Sequence, residues 1–355
     1  MTTPLSLPTR RSPYLVAPEE LGDFVGGPRY RGDQLRDWLY STPVVDPSDM
    51  TNLPRETRAK LAGTLWPFTV EAEQVADDGA TRKWLFRLPD GPDIEAVVMG
   101  YSDRTTLCIS SQAGCALGCT FCATGQFGFE RNLDAGEVVA QLQWVEAHLA
   151  ASPLSRGPDH VTNMVFMGMG EPLANYARLR EALRRIIEVK GMSPRRITVS
   201  TVGMVPGMRQ LADEPWRVNL AVSLHAADDD LRSRLVPLND RYPLAEVEDA
   251  ARSYFEKTGR RVSIEWTLID GVNDTLEQAA LLAPIARRLG AHVNLIPMNP
   301  TPLTEDRPSP EVVVARFRDH LTSLGVNATI RTIRGQEIDA ACGQLRARVD
   351  SERAE

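Results

Sequence analysis

The sequence has no long hydrophobic run and no apolar N-terminal segment. Its 355 residues are 43% apolar and 6% aromatic, but no apolar stretch approaches the roughly 18 residues that a membrane span needs. Arg10 and Arg11 lie near the N-terminus without an apolar stretch after them, so neither a signal peptide nor a transit helix is indicated. These absences predict a soluble cytoplasmic protein with a large core and no membrane association.

The chain also lacks an overall excess of basic residues. Its formal net charge is -7, which argues mildly against nonspecific nucleic-acid binding, although segregated charges can outweigh the net value. Residues 176–200 carry seven basic and two acidic residues, and smaller basic sets lie at 29–36 and 331–348. Such sets leave room for an RNA substrate, but an ordinary solvated surface explains them equally well. The basic residues of the main run are Arg178, Arg180, Arg184, Arg185, Lys190, Arg195 and Arg196.

Cysteine is scarce, with five residues in the whole chain. Three of them, Cys115, Cys119 and Cys122, lie within eight residues in a C-x3-C-x2-C pattern. Three thiolates can bind three irons of a cubane iron-sulfur cluster and leave the fourth iron open, which suits substrate activation better than electron storage. The alternatives are a structural zinc site with an unidentified fourth ligand, or a disulfide. The other two cysteines, Cys108 and Cys342, remain to be explained, and a permanent bridge between them would be unusual in a reducing compartment.

Secondary-structure signals change near residue 100. Residues 14–65 read as short helices, and the alternating segments 84–88 and 94–98, separated by a turn, read as hairpin strands. After residue 100, strand and helix patterns alternate. The predicted strands are 105–110, 161–167, 196–201, 218–224, 262–269, 292–296 and 327–332. The predicted helices are 134–150, 176–189, 205–212, 244–257, 276–289 and 310–324.

Repeated βα units form a parallel sheet, so the predicted fold class is α/β. We expect an incomplete (β/α)6 barrel with its site at the C-terminal ends of the strands, as in complete barrels. The cysteine loop directly follows the first strand of the series. The sequence predicts a flexible N-terminus at 1–13 and a helical accessory domain with a possible RNA-binding role at 14–65. A β-hairpin extension follows at 66–100, the barrel at 101–335, and a C-terminal segment carrying Cys342 at 336–355.

Polar residues and glycines occur where several predicted strands end. Residues 168–172, Gly-Met-Gly-Glu-Pro, follow the second strand, where glycine lets the backbone approach a ligand and Glu171 can accept a hydrogen bond from an amino group. Ser200, residues 223–225 and Asn299 end three further strands. Because these strand ends share one rim with the cysteine loop, the sequence predicts a cofactor site there.

These motifs together resemble the RlmN/Cfr family of radical S-adenosylmethionine (SAM) rRNA methyltransferases. The similarity extends over nearly the whole chain, through residues 30–38, 111–125, 168–172, 223–225, 297–300 and 340–344. It implies a radical SAM barrel, and one [4Fe-4S] cluster on the three clustered cysteines, with the open iron chelated by SAM. The SAM-binding residues that the resemblance implies are Gly170, Glu171, Ser200, Ser223, Leu224, His225 and Asn299.

The resemblance also gives roles to the two remaining cysteines. Cys342 would be methylated by one SAM, a second SAM would be cleaved reductively, and the resulting S-methyl radical would add to an adenine. Glu95 would accept a proton, and Cys108 would then attack the Cys342 sulfur and leave a transient disulfide. A thiolate relay is reasonable because an electron-poor ring carbon cannot take a methyl group from SAM by simple displacement, whereas a thiolate can.

By the same resemblance, the substrates are carbon 2 of adenosine 2503 in 23S rRNA and of adenosine 37 in tRNA. The partners implied are these RNAs and a one-electron reductant such as flavodoxin or ferredoxin, acting on a monomer. A Cfr-like enzyme methylating carbon 8 is the alternative, and a non-catalytic metal-containing RNA-binding factor is an alternative of another class. A methylthiotransferase is disfavoured because no second cysteine triad could hold an auxiliary cluster.

Overall fold

The structure, a computed structural model, describes residues 11–26, 28–300, 304–331, 344–346 and 349. The strands are β1 (Thr69–Ala76), β2 (Thr81–Arg87), β3 (Asp93–Gly100), β4 (Thr105–Cys108), β5 (Gln112–Gly114), β6 (Phe129–Asn132), β7 (Asn163–Phe166), β8 (Ile197–Thr201), β9 (Asn219–Ser223), β10 (Val262–Leu268), β11 (His292–Pro297) and β12 (Ala328–Ile330). The α-helices are α1 (Leu21–Val25), α2 (Tyr30–Tyr40), α3 (Arg55–Leu61), α4 (Ala123–Gln126), α5 (Ala135–Ala151), α6 (Tyr176–Arg184), α7 (Val205–Ala212), α8 (Asp229–Leu235), α9 (Leu244–Thr258), α10 (Leu276–Arg288) and α11 (Glu311–Ser323).

One sheet organises the described part of the chain. Its strand order is β1-β2-β3-β4-β7-β8-β9-β10-β11-β12. All neighbours from β4 to β12 pair in parallel, and helices connect most of them, which is the βα alternation that the sequence predicts. Within the described residues no ladder joins β12 to β4, so the parallel strands form the incomplete barrel that the strand count predicts.

The structure adds elements that the sequence patterns do not reveal. The extension is three antiparallel strands, β1 to β3, that continue the barrel sheet through β4, whereas the sequence predicts only a hairpin. β1 lies at the edge and is mostly exposed, so it lacks apolar alternation. The short hairpin β5/β6 and the seven-residue helix α8 are also new. Each is too short for a hydrophobic period to show in sequence.

The N-terminal helices share a continuous apolar core with the barrel. The Trp66 ring stacks on Tyr14 at 5.2 Å and meets the edge of Trp144, on α5, at 5.0 Å. Beside them, the buried Arg185 donates to the Tyr14 carbonyl at 2.9 Å and to Glu181 at 2.6 Å. The module is therefore packed against the barrel by aromatic contacts and a buried guanidinium.

Five of the seven basic residues at 176–200 form ion pairs with acidic side chains of the described chain. Arg184 binds Glu19 and Glu181, both at 2.8 Å. Arg178, Arg180 and Lys190 also pair with acidic side chains. These contacts tie Arg184 and Arg185 to the N-terminal module, and an RNA contact by this run stays a prediction. No helix within the described residues is long and apolar enough to cross a membrane.

Candidate cofactor and thiol site

The cysteine loop lies between β5 and α4 and is held from two sides. Cys119 is buried and packs with Leu231 and Leu235 of α8. The Thr120 amide donates to the Leu235 carbonyl at 3.2 Å, and the Cys115 amide donates to the Gly128 carbonyl at 2.8 Å. The loop is therefore fixed both to α8 and to the β5/β6 hairpin.

The three loop thiols form a set of soft donors in a mostly buried setting. Burial raises the pKa of Cys115 to about 11, and it raises the pKa of Cys119 further above the ordinary thiol value, with a contribution from the neighbouring cysteines. Thiols of this kind become thiolates when a metal binds them. No three metal-binding side chains among the described residues converge on a single ion. A cubane makes a different demand, since each cysteine binds its own iron, and the three thiols fit that demand.

The turn after β7 places a carboxylate beside the loop. Gly170 has φ +95°, and a Cβ at this position would lie 2.4 Å from the Gln112 side chain, so only glycine fits. The next amide, that of Glu171, donates to the Gln112 side chain at 2.7 Å. The buried Glu171 carboxylate accepts from the amides of Leu173 and Val202, both at 3.0 Å. Burial is the main cause that raises the pKa of Glu171 to about 7.

The resemblance implies that Glu171 binds the amino group of SAM, and the pKa of Glu171 then predicts a pH dependence for that binding. Glu171 is ionised above about pH 7 and protonated below it, and only the ionised form attracts a cationic or metal-bound amino group. SAM binding to the cluster-loaded protein should therefore weaken by up to about tenfold per pH unit as the pH falls below that value. Glu171→Gln should bind more weakly at pH 8 and lose the dependence. Titration calorimetry at several pH values checks this, and an unchanged profile in the variant would contradict it.

His225 is held as a neutral hydrogen-bond donor. Its backbone has φ +63°, and its Nδ1 accepts from the Thr267 amide at 3.0 Å. Burial, aided by the charge of Arg232, lowers the pKa of His225 to about 3. The proton of the neutral ring is therefore on Nε2. The Phe121 ring, from the cysteine loop, meets His225 edge-on at 4.6 Å, so the histidine is tied to the loop.

These groups surround one cavity of about 230 Å³ at the C-terminal strand ends. The Ser200 and Ser223 hydroxyls are 3.3 Å apart. Leu224 and Asn299 do not line the cavity: the Leu224 amide and carbonyl are bonded to Glu265 and Arg232, while Asn299 follows the buried Met298. Lining residues include Cys119, Phe121, Cys122, Gly170, Glu171, Ser200, Ser223 and His225.

A second group of residues lies where the extension joins the barrel. Glu95, on β3, is 2% exposed, and its Oε2 lies 3.0 Å from Nζ of Lys83, which is fully buried on β2. The Ser110 hydroxyl donates to the Glu95 carbonyl at 2.7 Å. Cys108, on β4, pairs with Val97 two residues after Glu95 in β3. The structure therefore brings Glu95 and Cys108 onto adjacent strands.

The described part of the C-terminal segment reaches this second group. Oε1 of Glu95 accepts from the Arg346 amide at 2.9 Å. The Arg346 guanidinium pairs with Glu130 of β6 at 2.5 Å, and the Gln344 side chain donates to the Pro300 carbonyl at 2.6 Å. Cys342 lies outside the described residues. The described residues 344–346 thus contact Glu95, the β5/β6 hairpin and the chain that follows β11.

Two residues of these sites were missed by the sequence patterns. Lys83 directly precedes the predicted strand segment 84–88, and a single lysine before Trp84 does not indicate burial. Arg346 belongs to a basic set that reads as solvated surface. Lys83 could have been found only from the pairing of the two strands, because Lys83 lies on β2, which pairs with the strand of Glu95.

Comparisons with known proteins agree with this geometry. The model of the radical SAM superfamily matches residues 109–283, and that of the ribosomal RNA large subunit methyltransferase N-terminal domain matches residues 18–65. A probable dual-specificity RNA methyltransferase RlmN from Salinispora tropica is 48% identical over 96% of this chain and 95% of its own length. Its counterpart from Rhodococcus opacus is 50% identical over 91% and 90%.

A solved structure gives the same answer for the fold. The radical SAM methyltransferase from Sphaerobacter thermophilus is 49% identical, covers 95% of this chain and 99% of its own, and superposes with a TM-score of 0.88. The predicted barrel and accessory domain are confirmed, as are the [4Fe-4S] cluster and SAM as cofactors of a SAM-dependent RNA methyltransferase. The chain belongs to the RlmN family of dual-specificity radical SAM RNA methyltransferases.

Proposed function

We propose that this enzyme methylates carbon 2 of adenosine 2503 in 23S rRNA and of adenosine 37 in tRNA, through an S-methyl intermediate on Cys342. The observation that carries the proposal is the meeting of Glu95, the strand of Cys108 and the segment that follows Cys342. A methyl relay needs a proton acceptor and a resolving thiol beside the thiol that carries the methyl group, and Glu95 and Cys108 are of these two types. Neither is required for binding the cluster.

The cofactor side of the site rests on the cavity at the strand ends. Cys115, Cys119 and Cys122 would hold the cluster. Glu171 would orient SAM by accepting a hydrogen bond from its amino group, and the neutral His225 would donate one to SAM from Nε2. Gly170, Ser200 and Ser223 line the same cavity and complete the proposed binding set. Leu224 and Asn299, which the resemblance adds, lie outside the cavity and belong to the set by resemblance alone. When bound, the cluster and SAM supply a 5'-deoxyadenosyl radical that can abstract hydrogen from an unactivated C–H bond.

The thiol side of the site would pass the carbon unit to the RNA. Cys342 accepts a methyl group because its thiolate is a better nucleophile than the adenine ring carbon. After the methylene radical has added to the base, the adduct would return one electron to the oxidised one-electron carrier, and Glu95 would remove the proton from the ring carbon. The Lys83 ammonium at 3.0 Å keeps the Glu95 carboxylate in place. The Cys108 thiolate then attacks the Cys342 sulfur, the sulfur–carbon bond breaks, and its electron pair stays with the methylene carbon, which takes up a proton.

RNA binding is proposed for the N-terminal module. Tyr30 is 51% exposed, and the Arg31 guanidinium lies 4.8 Å from the centre of its ring. An exposed aromatic ring beside a cation is suited to stacking on a base and to pairing with phosphate. The basic run at 176–200 stays a second candidate contact. We also propose that a one-electron donor such as flavodoxin or ferredoxin reduces the cluster, and that the enzyme acts as a monomer in the cytoplasm.

The position of methylation is tested on the product. We expect 23S rRNA from a strain lacking the endogenous activity to gain 2-methyladenosine when incubated with reconstituted enzyme, SAM and reductant, and tRNA to behave likewise. Nuclease digestion and mass spectrometry against 2-methyl and 8-methyl standards give the answer. Cys342→Ala is the matched control and should yield neither product. Formation of 8-methyladenosine would overturn the proposed regiochemistry, and the absence of both products would overturn the activity.

A further inference from the structure

Arg232 is a buried cation whose hydrogen bonds go only to neutral oxygens. Its side chain, on α8, is fully buried. It donates to the Leu224 carbonyl at 3.1 Å, the Val202 carbonyl at 2.5 Å and Oδ1 of Asn239 at 2.7 Å. Removing a charge from water is costly unless an opposite charge lies nearby. The bonds explain why the guanidinium is oriented, but they leave its positive charge uncompensated at contact distance.

The nearest acid on the helix is already engaged elsewhere. Oδ1 of Asp229 accepts from the Asn239 side chain at 3.0 Å and from the Leu244 amide at 2.9 Å. Arg232 and Asp229 still attract each other through space, which opposes the loss of charge on Arg232. Burial lowers the pKa of Arg232 only to about 10, so the guanidinium remains protonated at neutral pH.

The cysteine loop lies directly against the helix that carries this cation. Leu231 and Leu235, the residues on either side of Arg232 in α8, pack with Cys119. The Thr120 amide bonds to the Leu235 carbonyl, and Val202, whose carbonyl Arg232 binds, lines the cofactor cavity. The charges of Arg232 and Cys119 favour each other. The positive charge therefore sits between the loop and the ends of β8 and β9.

We propose that Arg232 is the fixed countercharge of the iron-sulfur cluster and that it favours the reduced cluster. A [4Fe-4S] core of charge 2+ with three thiolates has a net charge of about -1, and one added electron makes it about -2. A fixed cation stabilises the second state more than the first, so it raises the reduction potential. Arg232 acts here as a positioning and tuning residue, because it lies on the helix that packs against the loop and does not touch the substrate.

The experiment compares a neutral and a charged replacement on the full chain with its reconstituted cluster. Arg232→Gln removes the charge, Arg232→Lys keeps it, and Arg234→Gln removes an exposed charge from the same helix as a matched control. Reductive titration under anaerobic conditions, followed by the electron paramagnetic resonance signal of the reduced cluster, gives each midpoint potential. We expect Arg232→Gln to lose at least about tenfold in the reduction equilibrium, a negative shift of about 59 mV for one electron. Arg232→Lys should shift much less, and Arg234→Gln should match the parent.

A second variant protects the test against loss of fold. In Asp229→Asn/Asn239→Asp the carboxylate moves to the side chain that Arg232 contacts at 2.7 Å, while the net charge of the chain and the shapes of the side chains are kept. It should neutralise Arg232 in place and shift the potential in the same negative direction. Equal potentials in all variants, or equal shifts for Arg232→Gln and Arg232→Lys, would overturn the proposal. The measurement needs no RNA and no Cys342, so it is independent of the proposed methyl relay.

Discussion

Replacing Cys119 with alanine should abolish the cluster and all reductive cleavage of SAM. The thiol is one of three in the loop and lies buried against Leu231 and Leu235, so no other described cysteine can take its place. A cubane held by two thiolates loses iron under ordinary purification. We expect anaerobically reconstituted Cys119→Ala to be colourless, with iron and sulfide near background, and to form no detectable 5'-deoxyadenosine.

Cys108→Ala is the matched control for this experiment. It also removes one buried thiol, but from β4 rather than from the loop, and it should keep the iron content and absorbance of the parent. Thermal unfolding of both variants without the cluster should differ from the parent by no more than about 1–2 kcal/mol, since cysteine to alanine removes a single sulfur. Retention of four irons by Cys119→Ala would show that the loop does not bind the cluster as a cysteine triad.

The fold was largely predictable because its main signal is local. β4, β7, β8, β9, β10 and β11 are buried strands separated by amphipathic helices, so each element carries its own hydrophobic pattern. α8 was not predictable in the same way, because five of its seven residues are charged or polar, Asp-Asp-Leu-Arg-Ser-Arg-Leu. Its leucines pack on Cys119, and this tertiary contact fixes a helix that sequence periodicity does not indicate.

The candidate site was likewise predictable only where its residues follow from local sequence. Spacing alone indicates the cysteine loop, and the strand-end rule indicates Glu171, Ser200, Ser223 and His225, since these positions depend only on where strands end. The partners of these groups depend on which distant segments meet. Lys83 meets Glu95 through an antiparallel ladder, and Arg346 meets Glu130 across a separation of 216 residues, from position 130 to position 346. The partners of Arg184 and Arg185 likewise could not be predicted from the run itself, because Glu19 and Tyr14 come to it from the N-terminus.

The two thiols of the proposed relay should fail at different steps when they are replaced. Without Cys342 there is no acceptor for the first methyl group, so Cys342→Ala should keep its cluster and bind SAM but form neither methylcysteine nor an RNA adduct. Without Cys108 the first steps remain possible, because Cys108 lies on β4 and contributes no ligand to the loop. The bond between the Cys342 sulfur and the methylene carbon then has no thiolate to break it.

Cys108→Ala should therefore accumulate protein covalently joined to RNA, to at least half of the enzyme present after one turnover. Product formation should fall about a hundredfold, which corresponds to an activation free energy higher by roughly 2.7 kcal/mol. The species is visible as a nuclease-sensitive band of lower mobility on a denaturing gel, and peptide mass spectrometry locates the attachment. Double replacement of Cys108 and Cys342 is the control and should show no band. Because Glu95 acts before the sulfur is attacked, Glu95→Gln should also slow release and give a band of its own. Normal methylation by Cys108→Ala, with no trapped species, would rule out a transient disulfide in this enzyme.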